Sequence, residues 1–254
     1  MTALLEVERV SIQFGGLKAV ENVSFTAEKG QVTSIIGPNG AGKTTLFNAI
    51  TRNVRIREGS IRLNGREISH LTPLEITGRG IRRTFQNGGL FGQLTAIENI
   101  LVGLHTEIHS SFLGTLLHGR EARAQERAAI ARAKELLAEF EIDAPENIPV
   151  GQLSGGDQRL IEIARAWCTE AQLLMLDEPA VGLSPPVRSR VLDAIRGIAV
   201  NKGVAVLMIE HTMEMVLKGS DKIIVLNGGK LLASGSPAEI REDRTVAEAY
   251  LGYV

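Results

Sequence analysis

A glycine-rich run, Gly37-Pro38-Asn39-Gly40-Ala41-Gly42-Lys43-Thr44-Thr45, fits the spacing G-x-x-x-x-G-K-[ST]. Bare backbone lets successive N–H groups converge on an anion, and a helix that starts at the loop adds the positive end of its dipole. The flanks supply that context. Val32-Thr33-Ser34-Ile35-Ile36 reads as a buried strand and Leu46-Phe47-Asn48-Ala49-Ile50 as a helix. Asn39, Gly40, Ala41, Gly42 and Thr45 then cradle a nucleotide's phosphates. Lys43 reaches the β- and γ-phosphates, and the Thr44 hydroxyl ligates Mg2+. A carboxylate pair belongs to the same chemistry. Asp177 and Glu178 close the apolar run Leu173-Leu174-Met175-Leu176. Asp177 stands where a carboxylate orders the metal and its water, Glu178 where a base orients or deprotonates the attacking water. A helix-capping aspartate is the plainer alternative for Asp177.

The elements that must position these groups follow from apolar spacing. Short apolar runs over residues 4–36, broken at Glu28-Lys29-Gly30, predict three strands, and Asn64-Gly65 predicts a hairpin turn before Ile68. From Ala96 to about Leu153 the period becomes helical. Ala122, Ala129, Ala133, Leu136, Leu137 and Phe140 mark one face of an amphipathic helix over 120–140. Alternation resumes with buried strands at 173–176 and 204–209, a helix over 186–199 and a closing hairpin around Gly228-Gly229. The class expected is α/β with an inserted helical subdomain. Lys+Arg 28 against Asp+Glu 29 argues against a polyelectrolyte that binds nucleic acid or anionic lipid. One cysteine, Cys168, excludes a disulfide framework and any multi-cysteine metal site. With no signal peptide and no long uncharged apolar run, the expectation is a soluble, cytosolic protein.

Leu153-Ser154-Gly155-Gly156-Asp157, just ahead of a helix, resembles the signature of the nucleotide-binding subunits of ABC transporters. The resemblance covers essentially the whole chain. It implies a P-loop NTPase core of the ABC type with an antiparallel β subdomain (residues 1–90 and 170–235), a helical subdomain carrying the signature (91–169) and a helical tail (236–254). It implies Mg-ATP hydrolysis, with Ser154, Gly155 and Gly156 closing on the ATP of an opposite subunit in a head-to-tail dimer. Gln86, after Arg83-Thr84-Phe85, matches the glutamine that senses Mg2+ and water. His211 matches the switch histidine at the γ-phosphate, Phe14 the aromatic stacked on adenine, and Val20 the edge of that base site. Two departures stand at the expected dimer seam: Asp157 where the family has glutamine, and Val181-Gly182-Leu183-Ser184 after the glutamate.

Within the family, Arg83-Thr84-Phe85-Gln86, Leu90-Phe91, Asp177-Glu178-Pro179-Ala180, Ile209-Glu210-His211 and the tail around Tyr250-Leu251-Gly252 resemble the ATPases of branched-chain amino acid importers. The long segment from His105 to Arg127 resembles the larger ATPase of the pair. The implied partners are a second ATPase (paralogue or self), two transmembrane permeases and, indirectly, a periplasmic binding protein. The implied place is the cytoplasmic face of a bacterial inner membrane. Leu90, Phe91 and Leu94 read either as a groove for a permease helix or as core. Importers of urea, amides or aromatic acids share the pattern. A soluble ABC ATPase acting on ribosomes or DNA, and an inactive scaffold, are the readings from other classes.

Overall fold

The computed structural model describes residues 3–84, 89–104, 120–169 and 171–251. They divide into two units, Met1–Arg83 with Gln172–Val254, and Thr84–Ala171.

In the first unit the N-terminal residues form an antiparallel sheet. β1 (Ala3–Phe14) pairs with β2 (Leu17–Glu28), then with β4 (Glu58–Leu63), which turns into the short β5 (Arg66–Glu67). The predicted turn is present: Asn64 and Gly65 both take left-handed φ, 50° and 71°, the requirement of a two-residue hairpin loop whose twist matches its strands. Leu5, Val7, Val23 and Phe25 point from this sheet into the core.

A second, six-stranded sheet carries the order β10-β9-β3-β8-β7-β6. β3 (Val32–Ile36), β6 (Ile81–Arg83), β7 (Leu173–Asp177), β8 (Ala205–Ile209) and β9 (Lys222–Asn227) are parallel, and β10 (Lys230–Gly235) closes the edge antiparallel to β9. Every residue of β3, β7 and β8 is buried, as expected of strands covered on both faces. One face meets α1 (Lys43–Ile50) through Leu46, Phe47 and Ile50, in a core shared with the antiparallel sheet. Each such side chain contributes about 1.5–3 kcal/mol by leaving water. α2 (Pro73–Gly78) starts at a capping box in which Thr72 and Glu75 satisfy each other's backbone N–H groups.

In the second unit lie α3 (Ala96–Leu104), α4 (Arg120–Glu139) and α5 (Gly155–Trp167), with a 3-10 turn at Val150–Gln152. Ile100, Ala133, Leu136, Phe140, Leu160, Ile163 and Trp167 are buried. A Cβ on Gly103 would stand 2.6 Å from the Arg165 carbonyl oxygen, so α3 and α5 touch backbone to backbone there.

The chain then returns to the first unit with β7, α6 (Pro185–Lys202), β8, α7 (Met213–Gly219) and the β9–β10 hairpin. The tail forms α8 (Pro237–Glu242) and α9 (Arg244–Leu251). Ile240 and Val246 pack on Ile36, Val216, Ile223 and Val225. No helix among the described residues is long and apolar enough to cross a membrane.

Candidate functional site

The parallel strands deliver the chemistry at their C-terminal ends. β3 ends at Ile36 and runs straight into the glycine loop, which feeds α1 at Lys43. Gly42, the residue before that helix, has φ 97° and offers no side-chain cap, and no acidic residue occupies the first turn. The first N–H groups of α1 are therefore not taken by a cap, which fits an anionic ligand. A Cβ on Gly42 would stand 2.5 Å from the Ala19 carbonyl oxygen, so only glycine closes this loop against β2. Lys43 is buried and donates from Nζ to the carbonyl oxygens of Gly37 (2.7 Å) and Pro38 (2.9 Å). Burial pulls its pKa down, and the charges of Glu178 and Asp177 oppose that. Thr44 is exposed, Asn39 and Gly40 are exposed on the loop's outer turn, and Ala41 is buried.

Asp177, the last residue of β7, is only 2% exposed and accepts from Arg83 Nη2 at 2.9 Å. Glu178 follows with φ 51°, a left-handed conformation uncommon outside glycine, while its N–H donates to the Ile209 carbonyl at 2.9 Å. The strained turn aims its carboxylate sideways. Oε1 lies 2.6 Å from Nε2 of His211, which follows the end of β8 by two residues. Between them Glu210 is fully buried. Its carboxylate accepts from the N–H groups of Ala180 (3.0 Å) and His211 (3.2 Å) and ties the loops after β7 and β8 together. Burial pushes Glu210 above the ordinary glutamate pKa, and the backbone N–H groups pull it back.

The donor set suits a hard cation. One carboxylate (Asp177) and one hydroxyl (Thr44) belong to the same unit, and no group of three or more His, Cys, Asp or Glu side chains converges among the described residues. Mg2+ is held this way when nucleotide phosphates supply the remaining oxygens.

The other predicted residues are placed as follows. Phe14 sits at the tip of the β1–β2 hairpin with half its surface exposed, free to stack on a flat ligand. Val20 is buried, its Cγ2 3.2 Å from where a Gly42 Cβ would stand, and it backs the phosphate loop. Gln86 and the segment 105–119 lie outside the described residues. In the second unit Ser154 caps α5. Its Oγ accepts from the Asp157 N–H (3.1 Å) and donates to the Asp157 carboxylate (2.6 Å), so the departure at Asp157 engages the hydroxyl locally. Gly155 is exposed and Gly156 buried. Phe91 is half exposed, with Arg165 over its ring at 6.0 Å, whereas Leu90 and Leu94 are partly buried. Arg83 and Glu210 were quoted in the sequence only as parts of longer runs. Their signal was position, each at a strand end beside a candidate residue.

A phosphate loop at the end of a parallel strand, with carboxylates ending the next strand but one, defines a P-loop nucleotide-binding core. The chain belongs to the ABC transporter family, which it matches over residues 20–181; it is an ATP-binding cassette, the ATPase component of transporters. Residues 230–253 match the branched-chain amino acid ATP-binding cassette transporter family. The chain is 43% identical to the high-affinity branched-chain amino acid transport ATP-binding protein BraF of Pseudomonas aeruginosa and 40% identical to LivG of Salmonella typhimurium, in each case over 98% of both chains. A probable LivG of Archaeoglobus fulgidus is 35% identical over 98% of this chain and 95% of its own. Among solved structures, a nucleotide-free cassette of an ABC transporter superposes with TM-score 0.84 at 31% identity over 98% of this chain and 99% of its own. A cassette in its ADP conformation gives 0.84 at 30% identity over 99% and 100%.

Proposed function

We propose that this chain is the ATP-hydrolysing subunit of a high-affinity branched-chain amino acid importer, with the residues above as its site. The observation that carries the reading is the convergence of Lys43, Asp177, Glu178 and His211 at the ends of three adjacent strands.

The loop's N–H groups and Lys43 bind the phosphates of ATP, and Phe14 stacks on the base. Thr44 and Asp177 hold Mg2+, which when bound neutralises charge on the β- and γ-phosphates. Glu178 orients the attacking water and takes its proton at Oε1. His211, hydrogen-bonded to that oxygen, holds the carboxylate in place and faces the phosphate to be cleaved. Gln86 reports the occupied site toward the membrane partners. Ser154, Gly155 and Gly156 serve the nucleotide of a second cassette, self or paralogue, so that two chains close on two ATP molecules. Hydrolysis removes the phosphate that holds them and lets them reopen. The chain then works as a peripheral subunit on the cytoplasmic face of the bacterial inner membrane, beneath two permeases served by a periplasmic binding protein. The solute follows the relatives' names, since specificity resides in chains other than this one.

Replacing Glu178 by Gln tests the chemistry. It keeps the side chain's shape and its N–H bond to Ile209 but removes the base, so kcat falls about 10²–10⁴-fold with ATP binding retained. Wild-type turnover in Glu178→Gln refutes the assignment. Affinity capture from detergent-solubilised membranes tests the assembly: two polytopic permeases and a second ATPase are expected, and recovery of ribosomes or soluble proteins alone refutes the importer reading.

A further inference from the structure

Arg83 closes β6 beside β7, where it stands opposite Met175, two residues before Asp177. Its side chain is 92% buried and makes several contacts at once, among them Nη1 to Thr51 Oγ1 at 3.5 Å. Nη2 donates to Asp177 Oδ2 at 2.9 Å, Nη1 donates to Asn48 Oδ1 at 2.7 Å, and Cζ lies 5.4 Å from the centre of the Phe47 ring. Phe47 and Asn48 belong to α1, whose first turn carries Lys43 and Thr44. Thr44 and Asn48 are four residues apart and so share a helix face. Asn48, Arg83 and Asp177 are therefore hydrogen-bonded in series, and Thr44 stands one helical turn before Asn48 on α1. Only a planar fork bonds an amide oxygen on one side and a carboxylate on the other while lying over an aromatic face.

We propose that Arg83 is a positioning residue for the metal carboxylate: it fixes Asp177 against α1 so that the Asp177 and Thr44 oxygens are spaced for Mg2+ before the cation arrives. The proposal rests on the reading of Asp177 and Thr44 as Mg2+ ligands. A buried ion pair with a purely structural role would affect folding stability and leave the metal dependence of nucleotide binding alone. A positioning partner of a metal ligand weakens metal binding about 10–100-fold when removed. Arg83 also lies three residues before Gln86 in the chain, so the same side chain anchors the strand that leads to the glutamine.

The test uses the full-length protein with Arg83→Met and Arg83→Lys, and reads the affinity for a fluorescent ADP analogue in EDTA and across a Mg2+ titration. In EDTA both variants bind the analogue as the wild type does, because the phosphate loop is untouched. The Mg2+ concentration at half-enhancement rises about 10–100-fold in Arg83→Met. It rises by a smaller factor in Arg83→Lys, whose single ammonium reaches one of the two oxygens. If Arg83→Met fails to fold, Arg83→Lys alone decides. An unchanged Mg2+ midpoint overturns the proposal and leaves the ATPase reading intact, as does a loss of affinity already present in EDTA. A wild-type protein whose nucleotide binding ignores Mg2+ overturns the reading of Asp177 and Thr44 as Mg2+ ligands together with the proposal.

Discussion

Glu162 makes a pH-dependent stability prediction for the helical unit. It lies on α5 in the second turn after the signature, 2% exposed, with Oε2 2.6 Å from Arg159 Nη1. Burial pushes its pKa from 4.5 up to about 6, and Arg159 and Arg165 pull against that rise without cancelling it. A carboxyl that holds its proton more tightly folded than unfolded binds more protons in the native state between those two values. Stability from this group is therefore fully present below pH 4.5 and is lost as pH rises through about 6. The full swing is about 2 kcal/mol, of which about 1 kcal/mol separates pH 5 from pH 7.5. Glu162→Gln replaces the carboxyl with a neutral group of the same shape and abolishes the swing. Urea unfolding of both proteins at the two pH values isolates the effect, because every other titrating group cancels in the difference. The variant should gain about 1 kcal/mol on wild type between pH 5 and pH 7.5. Parallel curves, or a gain toward acid, would refute the assignment of the raised pKa to burial of this carboxyl.

Substitutions at two further positions probe the loops around the site. Gly42→Ala forces a Cβ to within 2.5 Å of the Ala19 carbonyl at φ 97°, so the phosphate loop has to shift away from β2. The cost is about 1–3 kcal/mol of backbone strain together with lost nucleotide affinity; unchanged binding of a fluorescent nucleotide would contradict it. Glu210→Ala leaves the N–H groups of Ala180 and His211 without their buried acceptor and destabilises by about 1–3 kcal/mol in chemical denaturation. Glu210→Gln, which keeps one acceptor oxygen, costs less, and equal losses in the two variants would contradict the hydrogen-bonding role.

The phosphate loop, the strands on either side of it and the carboxylates after β7 are legible because each is a local signal: glycine spacing, a fully apolar run, a polar pair where that run stops. The helix over Arg120–Glu139 is legible for the same reason, its buried Ala133, Leu136 and Leu137 recurring at helical period. Three local signals went unread. Thr72 with Glu75, Thr95 with Glu98 and Ser236 with Glu239 are capping boxes visible in the sequence, and each starts a helix. Asp157 stands out in the sequence as a departure from a pattern. Its bond to Ser154 gives it a positive role, since an acidic residue at the third helical position accepts the capping hydroxyl and suits the helix dipole. Position at a strand end marks Arg83 and Glu210 in the sequence, but their roles are not legible there. Each acts on a partner far off in sequence, 94 residues away for Arg83 and Asp177 and 30 for Glu210 and Ala180, and only strand order brings those partners together.

That order also explains the Glu178–His211 contact. Ile209 of β8 stands opposite Ile35 of β3 on one side and opposite Asp177 of β7 on the other. One row across the sheet thus holds the last turns of three strands. The phosphate loop begins two residues after its first member, the base follows its third, and the histidine comes two residues after the middle one. Neighbouring strands lie about 4.8 Å apart, so a glutamate and a histidine leaving adjacent strands in step are within side-chain reach. The left-handed turn at Glu178 closes the remaining distance by swinging the carboxylate toward β8 and off the line of its own strand. β3 is also where the chain changes direction across the sheet. The strands that follow it fill one side from the far edge inward, β6, β7 and then β8, and β9 takes the other side. Loops leaving β3 and its neighbours part at such a point, and the crevice between them admits a ligand to the strand ends. The left-handed backbone at Glu178 and the buried carboxylate of Glu210 have one cause. The loops after β7 and β8 line that crevice, and hydrogen bonds between Glu178 and His211 and from the Ala180 N–H to Glu210 hold the two together.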